Sequence, residues 1–213
     1  MNKKTDLASL RLNYLLNELV EENVSENPFK QFEKWFNEAL EAQILEPNAM
    51  HLATISNGKP HGRIVLLKGF DENGFVFYTN YESNKGKQIA EVPFASLTFF
   101  WGDLERQVRI EGEIVKTSSE ESDEYFQVRP RGSQIGAWVS RQSSVISKAE
   151  LENRQQELEK YYADKTIPRP PYWGGYRLIP EKVEFWQGRP SRLHDRILFT
   201  KNGNTWKIER LSP

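Results

Sequence analysis

The chain predicts an α+β fold, mainly β, with an antiparallel barrel or sandwich and several helices. Short apolar runs recur between residues 50 and 115, each bounded by turn chemistry and mostly without helical pattern between them. More such runs, 183–186, 197–200 and 206–211, close the chain. Helical spacing is concentrated before residue 43 and between 120 and 162. The 213 residues suit one domain with an arm, which we place at 25–213 and 1–24.

Residues 5–22 are expected to be helical, because Leu12, Leu15, Leu16, Leu19 and Val20 recur at helical spacing. Arg11 and Tyr14 lie three apart and share a face of that helix. Asn27-Pro28 is a cap followed by proline at the first helical position. The helix it opens runs to about residue 42, with Phe29, Phe32, Trp35, Phe36, Ala39 and Leu40 on its apolar side. The first strand, 50–55, ends at the hairpin signal Asn57-Gly58. The next run, 63–68, is apolar between two cations. Strands at 75–79, 94–100 and 107–115 follow, the last with Val108 and Ile110 on one face and Gln107, Arg109 and Glu111 on the other. Between 79 and 94, residues 83–90 read as a short helix.

Residues 120–129 read as a helix that Pro130 ends. Ser147-Lys148-Ala149-Glu150 is a capping box opening a charged surface helix to about Tyr162, with Leu151 and Leu158 as its few apolar contacts. Prolines at 168, 170 and 171 stiffen the link to the closing strands. There Val183 and Phe185 alternate with Glu184 and Trp186, and a loop follows from Gln187 to Ser191. The return strand is expected to begin with Arg192, His194 and Arg196 on one face and Leu193, Asp195 and Ile197 on the other. A final hairpin turns at Asn202-Gly203-Asn204.

Composition narrows the function classes. With 29 basic and 30 acidic residues the net charge is -1, so the basic excess of a general nucleic-acid binder is missing. There is no run of eighteen apolar residues for a membrane span and no secretory leader pattern at the N-terminus. The absence of cysteine removes disulfide and thiol chemistry and fits a cytoplasmic location. His51, His61 and His194 are neither paired nor flanked by cysteine, so no metal site is expected. Dinucleotide, nucleotide-phosphate and hydrolase-elbow motifs are also missing.

Two separated sets of residues have the chemistry of phosphate binding. One is Arg63, Lys68, Ser83 and Lys85 with Tyr78 and Thr79; the other is Tyr125, Arg129 and Ser133. Taken singly, such residues are ordinarily solvated surface charges. Together they suit a phosphorylated cofactor and a phosphorylated substrate. Near the C-terminus, Arg192, His194 and Arg196 crowd positive charge beside Trp186, which calls for an anion or a carboxylate partner.

Three blocks in order resemble the pyridoxine/pyridoxamine 5′-phosphate oxidases, which use FMN. They are Arg63-Ile64-Val65-Leu66-Leu67-Lys68; Arg131 to Ser140 followed by Gln142-Ser143-Ser144; and Glu184-Phe185-Trp186-Gln187 with Arg192-Leu193-His194-Asp195-Arg196. The resemblance covers Arg63 to the C-terminus. It implies a split β-barrel FMN-binding domain with surrounding helices, in a homodimer whose FMN lies at the interface. The implied FMN set is Arg63, Ile64, Val65, Leu66, Leu67, Lys68, Tyr78, Thr79, Ser83, Lys85, Gln107, Gln142, Ser143, Trp186 and Arg196. For the substrate phosphate it implies Lys68, Tyr125, Arg129 and Ser133. Arg192, Leu193 and His194 would face the substrate ring, Arg192 and His194 as the catalytic pair, with Arg11 and Tyr14 closing from the arm.

The implied reaction oxidises pyridoxamine or pyridoxine 5′-phosphate to pyridoxal 5′-phosphate. Hydride passes from substrate C4′ to flavin N5, and dioxygen returns as hydrogen peroxide. Where the family often has arginine between the serine and lysine of its phosphate loop, this chain has Asn84, and Lys87 is the nearest substitute. The alternatives are a split-barrel flavin reductase with another substrate, or a non-enzymatic carrier or sensor of FMN or pyridoxal phosphate.

Overall fold

Asn27 starts the first helix as its place before Pro28 requires. In the computed structural model, which describes residues 13–213, α1 runs Pro28–Glu41. The Asn27 carboxamide oxygen accepts from the backbone N–H groups of Phe29 (2.8 Å) and Lys30 (3.4 Å), two donors that a first turn leaves without partners. The face that α1 buries is aromatic. The Phe32 ring lies 5.1 Å from that of Phe99, and Trp35 meets Phe185 edge-on at 5.2 Å. Leu40, expected on that face, is half exposed.

The chain divides into two compact units. The first holds the stretch up to Pro47 together with Phe99–Arg109 and Lys182–Pro213; the second holds Asn48–Thr98 and Ile110–Glu181.

In the second unit, β1 (Ala49–Ser56) and β2 (Lys59–Leu66) pair antiparallel from Ala49↔Leu66 to Ser56↔Lys59. Asn57 and Gly58 turn between them with φ of 50° and 70°, the primed geometry that an Asn-Gly pair adopts at low cost. β3 (Gly69–Asp71), β4 (Gly74–Asn80), α2 (Asn84–Glu91), β5 (Phe94–Trp101) and β6 (Arg106–Lys116) follow, with the end of β5 and the start of β6 belonging to the first unit. Ser83 caps α2, its Oγ accepting from the Gly86 N–H at 3.3 Å. Along β6 burial alternates, with Val108 and Ile110 inside, as the sequence pattern predicts. The strand order is β2-β1-β5-β6-β7-β4-β3, where β7 is Trp173–Gln187. This is the expected mainly β, antiparallel arrangement. The ladder is not closed, since β2 and β3 stand at its ends among the described residues.

Three helices form a second hydrophobic cluster in this unit: α3 (Ser119–Val128), α4 (Arg131–Val139) and α5 (Lys148–Tyr162). Phe126, Ile135, Val139, Tyr162, Ile167 and Trp173 make up its centre. α4 is not anticipated by the sequence. Pro130 ends α3 as expected and also sits at the N-cap of α4. Buried Gln134 joins the two, its Nε2 donating to the carbonyls of Phe126 (3.0 Å) and Gln127 (3.1 Å) that the end of α3 leaves open. α5 begins at Ser147, as the capping box requires, and buries only Tyr162.

In the first unit the second half of β7 pairs with β8 (Asp195–Asn202), and β8 with β9 (Thr205–Arg210). Two expectations fail here. Residues 13–20 form no helix, and only a 3-10 turn, Glu21–Asn23, follows them. Their backbone is held by distant side chains instead: Leu16 N–H donates to Glu105 (3.1 Å), Leu19 N–H to Asp195 (3.0 Å), and Arg210 Nη2 to the Leu19 carbonyl (2.8 Å). Leu15 and Leu16, placed on the apolar stripe of that helix, are exposed. The return strand begins at Asp195 rather than Arg192. Pro190–Arg192 form a 3-10 turn in which Ser191 and Arg192 take left-handed φ of 57° and 63°, so Arg192 and His194 do not share a strand face with Arg196. No helix of the described residues is long and apolar enough to cross a membrane.

Candidate functional site

The second unit gathers cations around the start of α2. Arg63, on β2, donates through Nη1 to Thr54 Oγ1 (2.6 Å) and through Nη2 to Gln88 Oε1 (2.7 Å). Lys85 Nζ, one residue into α2, donates to Thr79 Oγ1 at 3.1 Å and lies 3.5 Å from Ser83 Oγ. Thr79 Oγ1 meets Gln142 Oε1 at 3.3 Å, and the Asn84 N–H donates to Ser143 Oγ at 3.2 Å. Burial pulls the pKa of Arg63 down; burial and then the neighbouring Arg63 charge do the same to Lys85. Among the described residues neither cation has a carboxylate partner. Two half-buried cations beside hydroxyls and a helix N-terminus have the chemistry that an anion would need.

A second arrangement lies where α3 meets α4. The rings of Tyr78 and Tyr125 stack at 3.9 Å, and Tyr78 stacks on Trp173 at 5.5 Å. Burial, and then the charges of Glu121 and Tyr125, push the Tyr78 hydroxyl up to about 12, so it stays a donor at neutral pH. The Arg129 guanidinium lies 4.5 Å over the Trp173 ring. Its Nη1 is buried without a hydrogen-bond partner, and burial lowers its pKa. It lines a cavity of about 250 Å³ with Asn80, Ser133, Gly136, Ala137, Ser140, Gln142 and Trp173. Gln142 joins this cavity to the first cradle through Thr79.

In the first unit, Trp186 and His194 lie 4.6 Å apart, and Tyr14 meets each edge-on at 5.8 Å. A Cβ on residue 188 would fall 2.7 Å from Tyr14 Cγ, so only glycine lets that ring lie there. The Arg189 N–H donates to His194 Nδ1 at 3.1 Å. Nδ1 therefore carries no proton, and the neutral imidazole holds its proton on Nε2. Burial, and then the Arg192 charge, lower the His194 pKa, while Asp195 opposes them. Arg196 is committed to buried Glu184, through Nε at 2.9 Å and Nη2 at 3.2 Å, and through Nη1 to the Ser212 carbonyl.

Residues 36–187 match the family model described as pyridoxamine 5′-phosphate oxidase. Residues 173–213 match the pyridoxine 5′-phosphate oxidase C-terminal dimerisation region. The chain belongs to the pyridoxamine 5′-phosphate oxidase family. Pyridoxine/pyridoxamine 5′-phosphate oxidases from Paraburkholderia xenovorans (strain LB400) and Gloeothece citriformis (strain PCC 7424) are each 60% identical to it. The first match covers 98% of this chain and 100% of the relative, the second 97% and 98%. Among solved structures, PhzG from Burkholderia lata 383, in complex with tetrahydrophenazine-1-carboxylic acid, is 29% identical with a TM-score of 0.87, over 93% of this chain and 99% of that one. A pyridoxamine 5′-phosphate oxidase-related, FMN binding protein from Nostoc punctiforme PCC 73102 shares the fold. It is 20% identical with a TM-score of 0.69, over 85% and 97% of the two chains.

Within this oxidase family member the residues named from the sequence fall in three places. Arg63, Thr79, Ser83, Lys85, Gln142 and Ser143 converge at the α2 cradle, and Tyr78, Tyr125, Arg129 and Ser133 at or beside the α3–α4 cavity. Ile64 and Lys68 are exposed, Val65 and Leu66 half buried, and Leu67 is core. Tyr14, Trp186, Leu193, His194 and Arg196 lie in the first unit with Gln107 and Arg192; Leu193 and Arg192 are exposed. Arg11 lies outside the described residues. Sequence reasoning missed Thr54 and Gln88, which orient Arg63, and Asn80, Gly136 and Ser140 of the cavity. Thr54 and Gln88 carry one usable signal, polar side chains where their elements turn inward. Only the pairing of β1 with β2 and the packing of α2 bring them to Arg63.

Proposed function

We propose that the protein is an FMN-dependent oxidase that converts pyridoxamine or pyridoxine 5′-phosphate to pyridoxal 5′-phosphate. Dioxygen would be reduced to hydrogen peroxide, with ammonia released from the amine. The observation that carries this reading is the partnerless, buried Nη1 of Arg129 in a cavity beside a second cation cradle. A buried guanidinium donor without an acceptor costs stability unless a ligand anion supplies one. The near-full-length likeness to oxidases named for these vitamers supports the same reading.

The residues fit a phosphorylated flavin. Arg63 and Lys85, with the hydroxyls of Thr79 and Ser83 and the start of α2, would hold its phosphate, and Asn84 leaves one charge-assisted contact fewer than an arginine there. When bound, FMN supplies a two-electron acceptor for the hydride that leaves C4′ and passes the electrons to dioxygen. Arg129 and Ser133, with Tyr125 as a further donor, would fix the substrate phosphate and so hold the reacting carbon in place. Arg192 carries five donors and no acceptor, so it can orient an anionic or electron-rich ring but not take up a proton. His194 offers a donor at Nε2, since its Nδ1 lone pair is already taken by the Arg189 peptide. We place this chemistry in a cytoplasmic homodimer with FMN at its interface.

A second reading takes the PhzG likeness as a guide to substrate, with a ligand such as tetrahydrophenazine-1-carboxylic acid. At 29% identity it is the more distant relative, and a carboxylate could meet Arg129 as a phosphate could, so identity and the second cation cradle favour the vitamers. Oxygen uptake and peroxide formation by the FMN-loaded protein test the choice. Turnover of both phosphorylated vitamers, with at least tenfold lower kcat/KM for their dephosphorylated forms, supports the proposal. Turnover confined to a reduced phenazine carboxylate refutes it.

A further inference from the structure

Arg189 belongs to neither cradle, yet it makes four contacts, one to His194 and three to residues around it in the chain or in the segment before α1. Its peptide N–H donates to His194 Nδ1 at 3.1 Å. Its guanidinium reaches back to the segment before α1. Nη1 donates to the Asn17 carbonyl at 3.0 Å, and Nη2 lies 3.4 Å from a Glu18 carboxylate oxygen. Nε lies 3.4 Å from Asp195, the residue after the histidine. That same segment carries Tyr14, packed edge-on to both Trp186 and His194.

We propose that Arg189 is a positioning residue: it seats residues 14–19 against the His194 ring and, through its peptide N–H, fixes that ring with its proton on Nε2. The segment has no helix or strand to hold it. At its far end it is pinned independently, because Asp195 accepts from the Leu19 N–H and Arg210 binds the Leu19 carbonyl and Glu21. Those contacts secure residues 19–21 and the entry to α1. Arg189 acts further upstream, at Asn17 and Glu18, nearer Tyr14, where the other fastening is Leu16 N–H to Glu105. Loss of the Arg189 side chain should therefore free the Tyr14 end without unfolding the unit. The loop that carries it runs through two consecutive left-handed residues, Ser191 and Arg192. Such a backbone persists only where surrounding contacts over-determine it. Releasing the guanidinium should let the Arg189 peptide, and with it the imidazole, sample other orientations.

The catalytic consequence rests on the reading that His194 faces the substrate; the structural part is testable without it. Arg189→Ala and Arg189→Lys would be compared with the parent in three measurements. Limited proteolysis reports the seating of residues 13–20. Imidazole ¹⁵N NMR, with His194 assigned through His194→Asn, reports the tautomer. Steady-state kinetics with pyridoxamine 5′-phosphate give kcat and KM separately. The alanine variant should be cut in this segment at least tenfold faster, and its His194 signals should move from a fixed Nε2–H pattern towards the average of two tautomers. KM should rise about tenfold with kcat within about threefold, a split expected when substrate cover is lost rather than chemistry. Lysine, which keeps the charge but not the fork, should fall between, and it carries the test if the alanine variant does not fold. Parent-like cleavage with an unmoved tautomer signature would overturn the proposal. A parent protein that oxidises neither vitamer would defeat the functional reading, while proteolysis and NMR still decide the role of Arg189.

Discussion

Replacing Arg129 with leucine should separate folding from function. The guanidinium is half buried, has a buried Nη1 without a partner, and has its pKa lowered by desolvation. Its stabilising contacts are the cation–π approaches to Trp173 at 4.5 Å and to Phe126 at 5.5 Å, each of order 0.5–1 kcal/mol, against a desolvation cost of about 1–3 kcal/mol for the unmet donor. Leucine keeps the apolar stem that packs here and removes the donor, so Tm should hold or rise by a few degrees. Binding should move the other way. One charge-assisted hydrogen bond to a phosphate oxygen is worth about 1.5–3 kcal/mol, roughly 10- to 150-fold. The kcat/KM for pyridoxamine 5′-phosphate should fall by that factor, while the small rate with unphosphorylated pyridoxamine should stay within about twofold. Thermal unfolding and oxygen uptake with the two substrates measure all three quantities. Equal losses on both substrates, or a Tm lowered by ten degrees, would refute the assignment of Arg129 to the substrate phosphate.

Arg63→Gln and Lys85→Met should each weaken FMN retention at least tenfold, read as flavin released on gel filtration, because each removes a cation that has no carboxylate partner among the described residues. For His194, the folded pKa is lowered, so the neutral ring that accepts the Arg189 N–H persists below the ordinary 6.5 and is lost only as pH falls through the lowered value. If neutral His194 is required, the acid limb of kcat/KM should have its midpoint under 6.5; a midpoint at or above 6.5 would contradict it. Phe32→Ala empties a fully buried site among Phe99 and Trp101 and should cost about 3–5 kcal/mol in urea unfolding.

Local chemistry made much of the fold legible. Asn27-Pro28, Asn57-Gly58, Ser83 and Ser147 each mark a boundary because the side chain or turn that makes the boundary is itself in the sequence. Where partners come from afar, the pattern misleads. Leu15, Leu16 and Leu19 have helical spacing, yet the backbone of Leu16 and Leu19 is bound by Glu105, Asp195 and Arg210, the last 191 residues away from Leu19. α4 is hidden by its two glycines and its short length, and becomes a helix because Gln134 and Ile135 have α3 and its cluster to pack on. Glu184, a carboxylate on the strand face it shares with Trp186, is buried because Arg109 and Arg196 meet it there.

The same division runs through the candidate site. Arg63, Lys85 and Arg129 were readable as cations in phosphate-binding company. Their lack of carboxylates, the orienting pair Thr54 and Gln88, and the partnerless Nη1 depend on packing that sequence does not display. Arg192 and His194 were read as strand residues; the left-handed turn at Ser191 and Arg192 puts them in a loop.

Anaerobic addition of substrate to the FMN-loaded protein probes the reaction itself. Pyridoxamine 5′-phosphate should bleach the oxidised flavin band in a single turnover, with one pyridoxal 5′-phosphate formed per flavin and the colour restored by air, while unphosphorylated pyridoxamine should leave it largely oxidised. A flavin that stays oxidised with the phosphorylated vitamers, or that a reduced phenazine carboxylate alone can bleach, would contradict that reaction.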